Sequence, residues 1–226
     1  MRLALFLSFA CLFIRSPSAA TQATARPGVP ARITGAAVIR EMNLARQNPT
    51  FYAGLLEQTR QDSSGNFCRV SDIVPLRTQE SSRAVDEAIR FLRGVKPLSP
   101  LVLSPGLCLA AADHCREQAT GAIGHYGSNR TNPGERISRY GAFGQGWAEN
   151  IAYGRHSARD IVIALIIDAG VPGRGHRKNI FNRTYDVAGA AYGPHAKFGS
   201  VCSIDFASGY SERTFVRAEN DTDKTF

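Results

Sequence analysis

Residues 146–182 read GWAENIAYGRHSARDIVIALIIDAGVPGRGHRKNIFN. Ser157, followed by Asp160 three residues later, resembles the capping box that begins many helices. The apolar run Ile161–Ile167 predicts that this helix continues until Gly170 and is hydrophobic on most sides. A helix without a polar face has to be covered by other elements, so this segment is expected to lie in the core.

The regions on either side show further helix and strand signals. Ser104 before Pro105 is a favourable helix start, because the hydroxyl caps free amides and proline needs no donor in the first turn. Small residues line one side of that helix, which predicts close packing against a sheet. Helices are predicted over 33–48, from 81 or 82 to 94, and over 105–120, 133–140 and 157–170, and strands over 150–153, 185–192 and 200–206.

Two regions carry more specific predictions. In the last strand Cys202, Ile204 and Phe206 alternate with polar residues, which is typical of a half-buried antiparallel strand. Residues 59–79 show turn residues and no sustained period, so we expect a surface loop pinned by Cys68.

The chain has 226 residues, of which 43% are hydrophobic, so one domain is expected. Residues 1–20 have the parts of a signal peptide: Arg2, an apolar run over 3–14, and small residues at the end. That run is too short for a membrane-spanning helix, which needs about 20 residues. A lipid anchor on Cys11 is the alternative. Residues 21–32 are expected to be a flexible lead-in, 33–218 the domain, and 219–226 a frayed tail.

The charge of the chain is basic. The formal net charge is +8, and removal of Arg2 and Arg15 with residues 1–20 lowers it to +6, since 8 minus 2 is 6. The basic residues are spread along the chain without alternating aromatic residues, so no nucleic-acid surface is predicted. A solvated basic surface is the simplest interpretation, and attraction to acidic envelope polymers or anionic lipids is the alternative.

Four cysteines remain after residues 1–20, namely Cys68, Cys108, Cys115 and Cys202. An even number in an exported chain predicts two disulfides. Cys108 and Cys115 are separated by roughly 10.5 Å along one helix, whereas bridged Cα atoms lie within about 7 Å. Cys68 and Cys202 should therefore each bridge to one of the helix cysteines, in either combination. Free, buried thiols are the alternative.

Two histidines and two glutamates stand in distinctive local sequences. His125 lies in GAIGHYGS, Glu135 in NPGERI, Glu149 in GWAENIAYG and His176 in RGHRKN. Two imidazoles and two carboxylates form a set able to hold a divalent ion such as zinc or to share protons near neutral pH. The spacing by itself is weak evidence, because the chain lacks the HExxH and CxxC metal motifs.

The order of motifs resembles the CAP superfamily of cysteine-rich secretory, antigen-five and pathogenesis-related proteins, especially secreted bacterial-type members. The motifs are LxxSxxLxxAAxxH at 101–114, GHYGS, a glutamate ten residues after His125, AENIAYG, LIIDAGVPGRGHRKNIFN and GSVCSIDFASGY. They cover residues 98–210 well and 33–56 loosely.

This resemblance implies an α/β/α sandwich with a small antiparallel sheet between helical layers. It also implies a shallow cleft that holds His125, Glu135, Glu149 and His176. Ala148 and Ala169 depart from the pattern, where relatives usually have glycine and often a second aspartate.

Three functions follow from these observations. The favoured one is a secreted, extracellular or periplasmic binding module for a lipid, an envelope component or a partner protein, because no GxSxG nucleophile motif is present. The second is a hydrolase in which His125 and His176 ligate zinc while Glu149 or Glu135 activates water. The third is a purely structural role, in which Glu135 caps a helix and Glu149 pairs with Arg136.

Overall fold

The computed structural model describes residues 33–61 and 79–214, which belong to one compact unit, Arg32–Phe226. The predicted signal peptide, lead-in, tail and Cys68 lie outside the described residues. The helices are α1 (Gly35–Gln47), α2 (Pro49–Gln61), α3 (Gln79–Gly94), α4 (Pro105–Gln118), α5 (Pro133–Tyr140), α6 (Ala158–Ile167) and α7 (Gly175–Ile180). The strands are β1 (Val102–Leu103), β2 (Gly141–Ala142), β3 (Gly146–Tyr153), β4 (Val187–His195), β5 (Gly199–Ser208) and β6 (Ser211–Glu212).

The predicted helix starts are confirmed by their caps. Ser104 Oγ accepts a hydrogen bond from Leu107 N at 3.0 Å, and Ser157 Oγ accepts one from Asp160 N at 3.0 Å. These caps occupy backbone donors that the first turn of a helix leaves free. Within the described part of the chain, no helix is long and apolar enough to cross a membrane.

Two helices were not predicted. The helix α2 includes residues 59–61, which were expected to belong to a surface loop, and the rest of that loop up to residue 78 lies outside the described residues. The short helix α7 carries His176 and follows a turn in which Gly173 has a φ of 76°. It is too short for a hydrophobic period to reveal it.

The main sheet has four strands in the order β1-β4-β5-β3. Both long pairs, β4 with β5 and β5 with β3, are antiparallel, as expected. The two-residue β1 pairs with β4 in parallel, so the sheet is mixed at this edge. Strands β2 and β6 form a separate antiparallel pair.

Helices cover both faces of the main sheet at β4. A Cβ on Gly189 would lie 2.2 Å from Cys108 N in α4, and a Cβ on Gly35 in α1 would lie 1.8 Å from the carbonyl oxygen of Ala190. Adjacent residues of a strand face opposite sides of the sheet. Helices α4 and α1 therefore pack closely on opposite faces, which confirms the sandwich and the close packing of α4.

The strand β5 is buried on both faces, so the expectation of a half-buried strand was wrong. Ile204 and Phe206 lie in the main core, and Ser203 and Asp205 on the other face have no exposed surface either. Helix α4 covers that face. An acidic side chain is consequently enclosed between a helix and a sheet.

The predicted bridge between Cys202 and a helix cysteine is not formed, because Cys108, Cys115 and Cys202 are all free. Cys202 packs in the main core, whereas Cys115 packs with Val201 and Ile151 in a separate cluster. Since Val201 and Cys202 are neighbours in β5, their side chains point to opposite faces. The sheet itself separates the Cys115 and Cys202 thiols.

Candidate functional site

His125 and Glu149 are in direct contact. His125 Nδ1 lies 2.8 Å from Glu149 Oε1. Strand β3 carries the carboxylate, of which only 1% is exposed, and the imidazole is half exposed on the loop after α4. The structure thus brings together two of the four predicted site residues, His125 and Glu149.

Arg136 binds the same carboxylate from the other side. Its Nη2 donates to Glu149 Oε2 at 2.7 Å and to the carbonyl of His125 at 3.0 Å, and its Nη1 donates to the carbonyl of Thr131 at 3.0 Å. The Arg136 side chain is fully buried. One guanidinium thus fastens the loop that carries His125 to the sheet.

Asp205 lies directly opposite Glu149 in the strand register. It is fully buried, and neither of its carboxylate oxygens has a hydrogen-bond partner among the described residues. Burial, and next the charge of Glu149, raise the pKa of Asp205 well above its usual value, although Arg136 opposes the shift. The folded state therefore favours the neutral form of the Asp205 carboxyl more than the unfolded chain does.

Glu149 behaves in the opposite way. Burial by itself raises the pKa of Glu149, but the hydrogen bond to His125 and the charges of His114 and Arg136 outweigh burial, so that the pKa lies below its usual value. We call Arg136, Glu149 and Asp205 the buried ionic cluster. It combines a guanidinium with two carboxyl groups whose pKa values are shifted in opposite directions.

Glu135 has a different partner. Its Oε2 accepts a hydrogen bond from Asn132 N at 2.8 Å, and Glu135 N donates to Asn132 Oδ1 at 3.0 Å. This is the reciprocal capping box of α5. The structural roles considered for Glu135 as a cap and for Glu149 as the partner of Arg136 are therefore both present.

His176 pairs with Asp168, a residue that sequence reasoning did not single out. His176 Nδ1 lies 2.7 Å from Asp168 Oδ1, and His176 N donates to Asp168 Oδ2 at 2.9 Å. Asp168 ends α6 in the left-handed conformation, with a φ of 57°, and its side chain is only 1% exposed. Because a buried carboxylate faces Nδ1, this nitrogen carries the proton and Nε2 remains for another partner.

His176 borders an open groove of about 470 Å³ beside strand β3. The wall combines apolar, aromatic and charged side chains, and its lining residues include Ile151, Tyr153, Arg155, Leu165, His176 and Phe198. We call this feature the β3 groove. Its composition is that of a binding site with apolar walls and a few polar anchors.

The two histidines form separate pairs. Glu149 binds His125, whereas its neighbour Asn150 donates through Nδ2 to the backbone carbonyl of His176 at 3.0 Å. The predicted set of four is divided by its contacts: His125 with Glu149, His176 with Asp168, and Glu135 at a helix start.

The sequence profile of the cysteine-rich secretory protein family, CAP, matches residues 87–206. The chain belongs to the CAP family. No curated protein sequence shows a match to it.

Three solved structures are similar to this CAP protein. An outer surface protein of Borrelia burgdorferi has a TM-score of 0.42 at 20% identity, covering 59% of this chain and 96% of its own. An extracellular SCP-domain protein of Bacillus anthracis has a TM-score of 0.38 at 20% identity and covers 56% of this chain. A cysteine-rich secretory protein of Staphylococcus aureus has a TM-score of 0.37 at 16% identity and covers 59%. The matches span 39% and 40% of the lengths of the last two proteins.

The CAP domain does not assemble the predicted zinc ligands. The residues described here include no group of three histidine, cysteine or acidic side chains arranged to hold a metal ion. His125 and His176 each contact a different carboxylate. The donors present thus do not fit a zinc ion shared by these two histidines.

Two other histidines have contacts outside the predicted set of four. His195 lies at the end of the β4–β5 hairpin, where its Nδ1 accepts from Lys197 N and Phe198 N at 3.2 Å each and so shapes that connection. His114 is fully buried, and its Nε2 lies 3.8 Å from Glu149 Oε1. It belongs to the surroundings of the buried ionic cluster.

Proposed function

We propose that this protein is an exported binding domain that holds its ligand in the β3 groove, with His176 as a polar anchor. The observation that carries the proposal is the contact between His176 and Asp168 at the border of an open groove. Asp168 fixes the orientation of the imidazole and its protonated nitrogen. His176 Nε2 then remains available for a hydrogen bond with a ligand.

The walls of the groove suit a ligand that is part apolar and part polar. Leu165 and Ala164 provide aliphatic surface, while Arg155 and His176 provide polar contacts. The partners proposed on this basis are a lipid, an envelope polymer or a partner protein, outside the cell or in the periplasm. The family match and the signal-peptide features of residues 1–20 support this location.

Binding fits the described residues better than nucleophilic catalysis does. Burial raises the pKa of the Cys115 thiol to about 12 and that of Cys202 well above its usual value. Both thiols therefore stay protonated, whereas a cysteine nucleophile needs the thiolate. The zinc hydrolase gains no support from the divided histidine pairs.

The test is retention of the purified protein on phosphatidylglycerol vesicles and on isolated cell-wall material. We expect retention on one of these, and we expect His176→Ala to weaken it at least tenfold. His125→Ala is the matched control, because it also removes an imidazole from a carboxylate but leaves the groove intact. Equal binding by the two variants, or no retention on either material, contradicts the proposal.

A further inference from the structure

The β3 groove follows the outer edge of the main sheet. Strand β3 is the last strand in the order β1-β4-β5-β3. Three consecutive residues, Ile151, Ala152 and Tyr153, all line the groove. Neighbouring side chains of a strand face opposite sides, so a cavity touches three in a row only along the strand edge.

The orientation of the backbone at this edge follows from one hydrogen bond. Gly154 N donates to the carbonyl of Ser200 at 2.9 Å, and these two residues continue the register in which Tyr153 faces Val201. Hydrogen-bonded and non-hydrogen-bonded pairs alternate in an antiparallel ladder. The N–H and C=O groups of Tyr153 and Ile151 therefore point away from β5, into the groove.

A second contact confirms this direction. Trp147 is separated from Ile151 and Tyr153 by an even number of positions, so its backbone groups point in the same direction as theirs. Its carbonyl accepts a hydrogen bond from the Tyr185 hydroxyl at 3.3 Å, on the side away from β5. Next to it, Asn150 is tied to α7 through the carbonyl of His176. One outward carbonyl in the first half of β3 is therefore occupied, whereas Ile151 and Tyr153 line the groove.

Among the described residues, no hydrogen bond reaches the outward backbone groups of Ile151 and Tyr153. Backbone donors and acceptors at a strand edge form a template for another extended chain. Two such residues, two positions apart, offer two donors and two acceptors at the spacing of a strand. A lipid tail satisfies none of them.

We propose that the partner held in the β3 groove is an extended peptide that adds a strand to the β3 edge at Ile151 and Tyr153. The proposal deepens the binding function stated above and rests on it. Main-chain hydrogen bonds supply affinity in this mode of recognition, and pockets for alternate side chains supply selectivity. Arg155 lies at the end of this stretch of the edge and also lines the groove.

The probe is a fluorescent nine-residue peptide of alternating Val and Thr that ends in Glu. A second peptide has the same sequence with N-methyl groups on its five central residues, which removes the donors but keeps the side chains. We expect the methylated peptide to bind at least tenfold more weakly in fluorescence anisotropy, because two backbone hydrogen bonds are worth a factor of about 5 to 150. Equal binding of the two peptides overturns the proposal.

The matched protein variants are Ile151→Pro and Ile151→Val. Proline removes the outward N–H and part of the side chain that packs with Cys115 and Val201, and it is tolerated at an edge position whose N–H is not in the ladder. Valine keeps the N–H and shortens the side chain. We expect Ile151→Pro to lose peptide binding at least tenfold and Ile151→Val to keep it within about threefold. If Ile151→Pro does not fold, Ala164→Trp, which narrows the groove from α6, is expected to give the same loss.

The outcomes separate this inference from the proposed function. If the protein is retained on vesicles or cell-wall material but binds no peptide, the proposed binding function is supported and the strand addition is overturned. A concentration-dependent dimer that Ile151→Pro abolishes also overturns it, because the edge then pairs with a second copy. The absence of binding to every probe contradicts both.

Discussion

The two histidine–carboxylate pairs have the same chemistry and different surroundings. Nδ1 of His125 lies 2.8 Å from Glu149, and Nδ1 of His176 lies 2.7 Å from Asp168, and both carboxylates are 1% exposed. Glu149 also neutralises a buried arginine and faces a buried acid, whereas Asp168 accepts backbone N–H groups at the border of a groove. The Glu149 carboxylate thus binds the arginine that fastens a loop, whereas the Asp168 carboxylate orients an imidazole at the border of a groove.

Among the variants that test this difference between the two pairs, Arg136→Ala is expected to change the stability most. The Arg136→Ala variant leaves the Glu149 carboxylate buried without its cation, so we expect the free energy of unfolding to fall by about 3–5 kcal/mol. Chemical denaturation at pH 7 measures it. Arg139→Ala is the control on the same helix, because Arg139 is 44% exposed and its pair with Asp113 is worth less than about 1 kcal/mol. Similar losses for the two variants mean that Arg136 does not hold the loop.

A smaller effect is expected at Glu149. The Glu149→Gln variant removes charged hydrogen bonds and should cost about 1.5–3 kcal/mol at pH 7. Because the folded-state pKa lies below the ordinary 4.5, the contribution of Glu149 is present above that pH and is lost as the pH falls through the folded-state pKa. The stability difference from the unmodified protein should therefore shrink in acid.

The control for Glu149→Gln is Glu135→Gln. Glutamine also completes a capping box, so this variant should change the stability little at any pH. A pH-independent deficit in Glu149→Gln contradicts the assignment of Glu149 as the buried anion.

Asp205→Asn is expected to stabilise the protein. The pKa of Asp205 is raised in the folded state, so the folded chain keeps a proton that the unfolded chain releases above about pH 3.8. The stability of the unmodified protein relative to the variant then falls with rising pH, by up to about 1.4 kcal/mol per pH unit, until the folded-state pKa is reached. Urea unfolding from about pH 3 to pH 8 measures this slope. A variant that is less stable than the unmodified protein at pH 7 shows instead that Asp205 is ionised and paired.

The smallest effect is expected at His125. Its side chain is 49% exposed, so His125→Ala should lower the free energy of unfolding by less than about 1 kcal/mol. Thermal unfolding of His125→Ala and of Arg136→Ala compares their stabilities and so shows which side chain fastens the loop. A loss in His125→Ala as large as that in Arg136→Ala assigns the fastening to the imidazole.

Local signals predicted most of the helices. Ser104, Ser157 and Asn132 cap α4, α6 and α5 as their sequence neighbours indicate. A cap and a hydrophobic period lie within a few residues, so the sequence contains all the information they need. The helix α7 and the two-residue strands are too short for a period, and the sheet or neighbouring elements stabilise them instead.

The site was predicted less completely, because its pairs are not local. His125 and Glu149 are 24 residues apart, and they meet because α5 and β3 bring Arg136 beneath both of them. Glu135 followed its local signal and became a cap. Asp168 was not predicted, because its role depends on its left-handed conformation at the end of α6 and on the direction of the following helix α7.

The sequence by itself determined the long helices other than α2, the three long strands and the family, since these depend on neighbouring residues and on motif order. Only the tertiary structure decided what lies on each face of those strands. Alternation along β5 distinguishes two faces, but whether the polar face meets water or a helix depends on distant elements. Here α4 covers it, so Asp205 is buried, Cys202 and Cys115 are kept apart, and His125 and His176 contact different carboxylates.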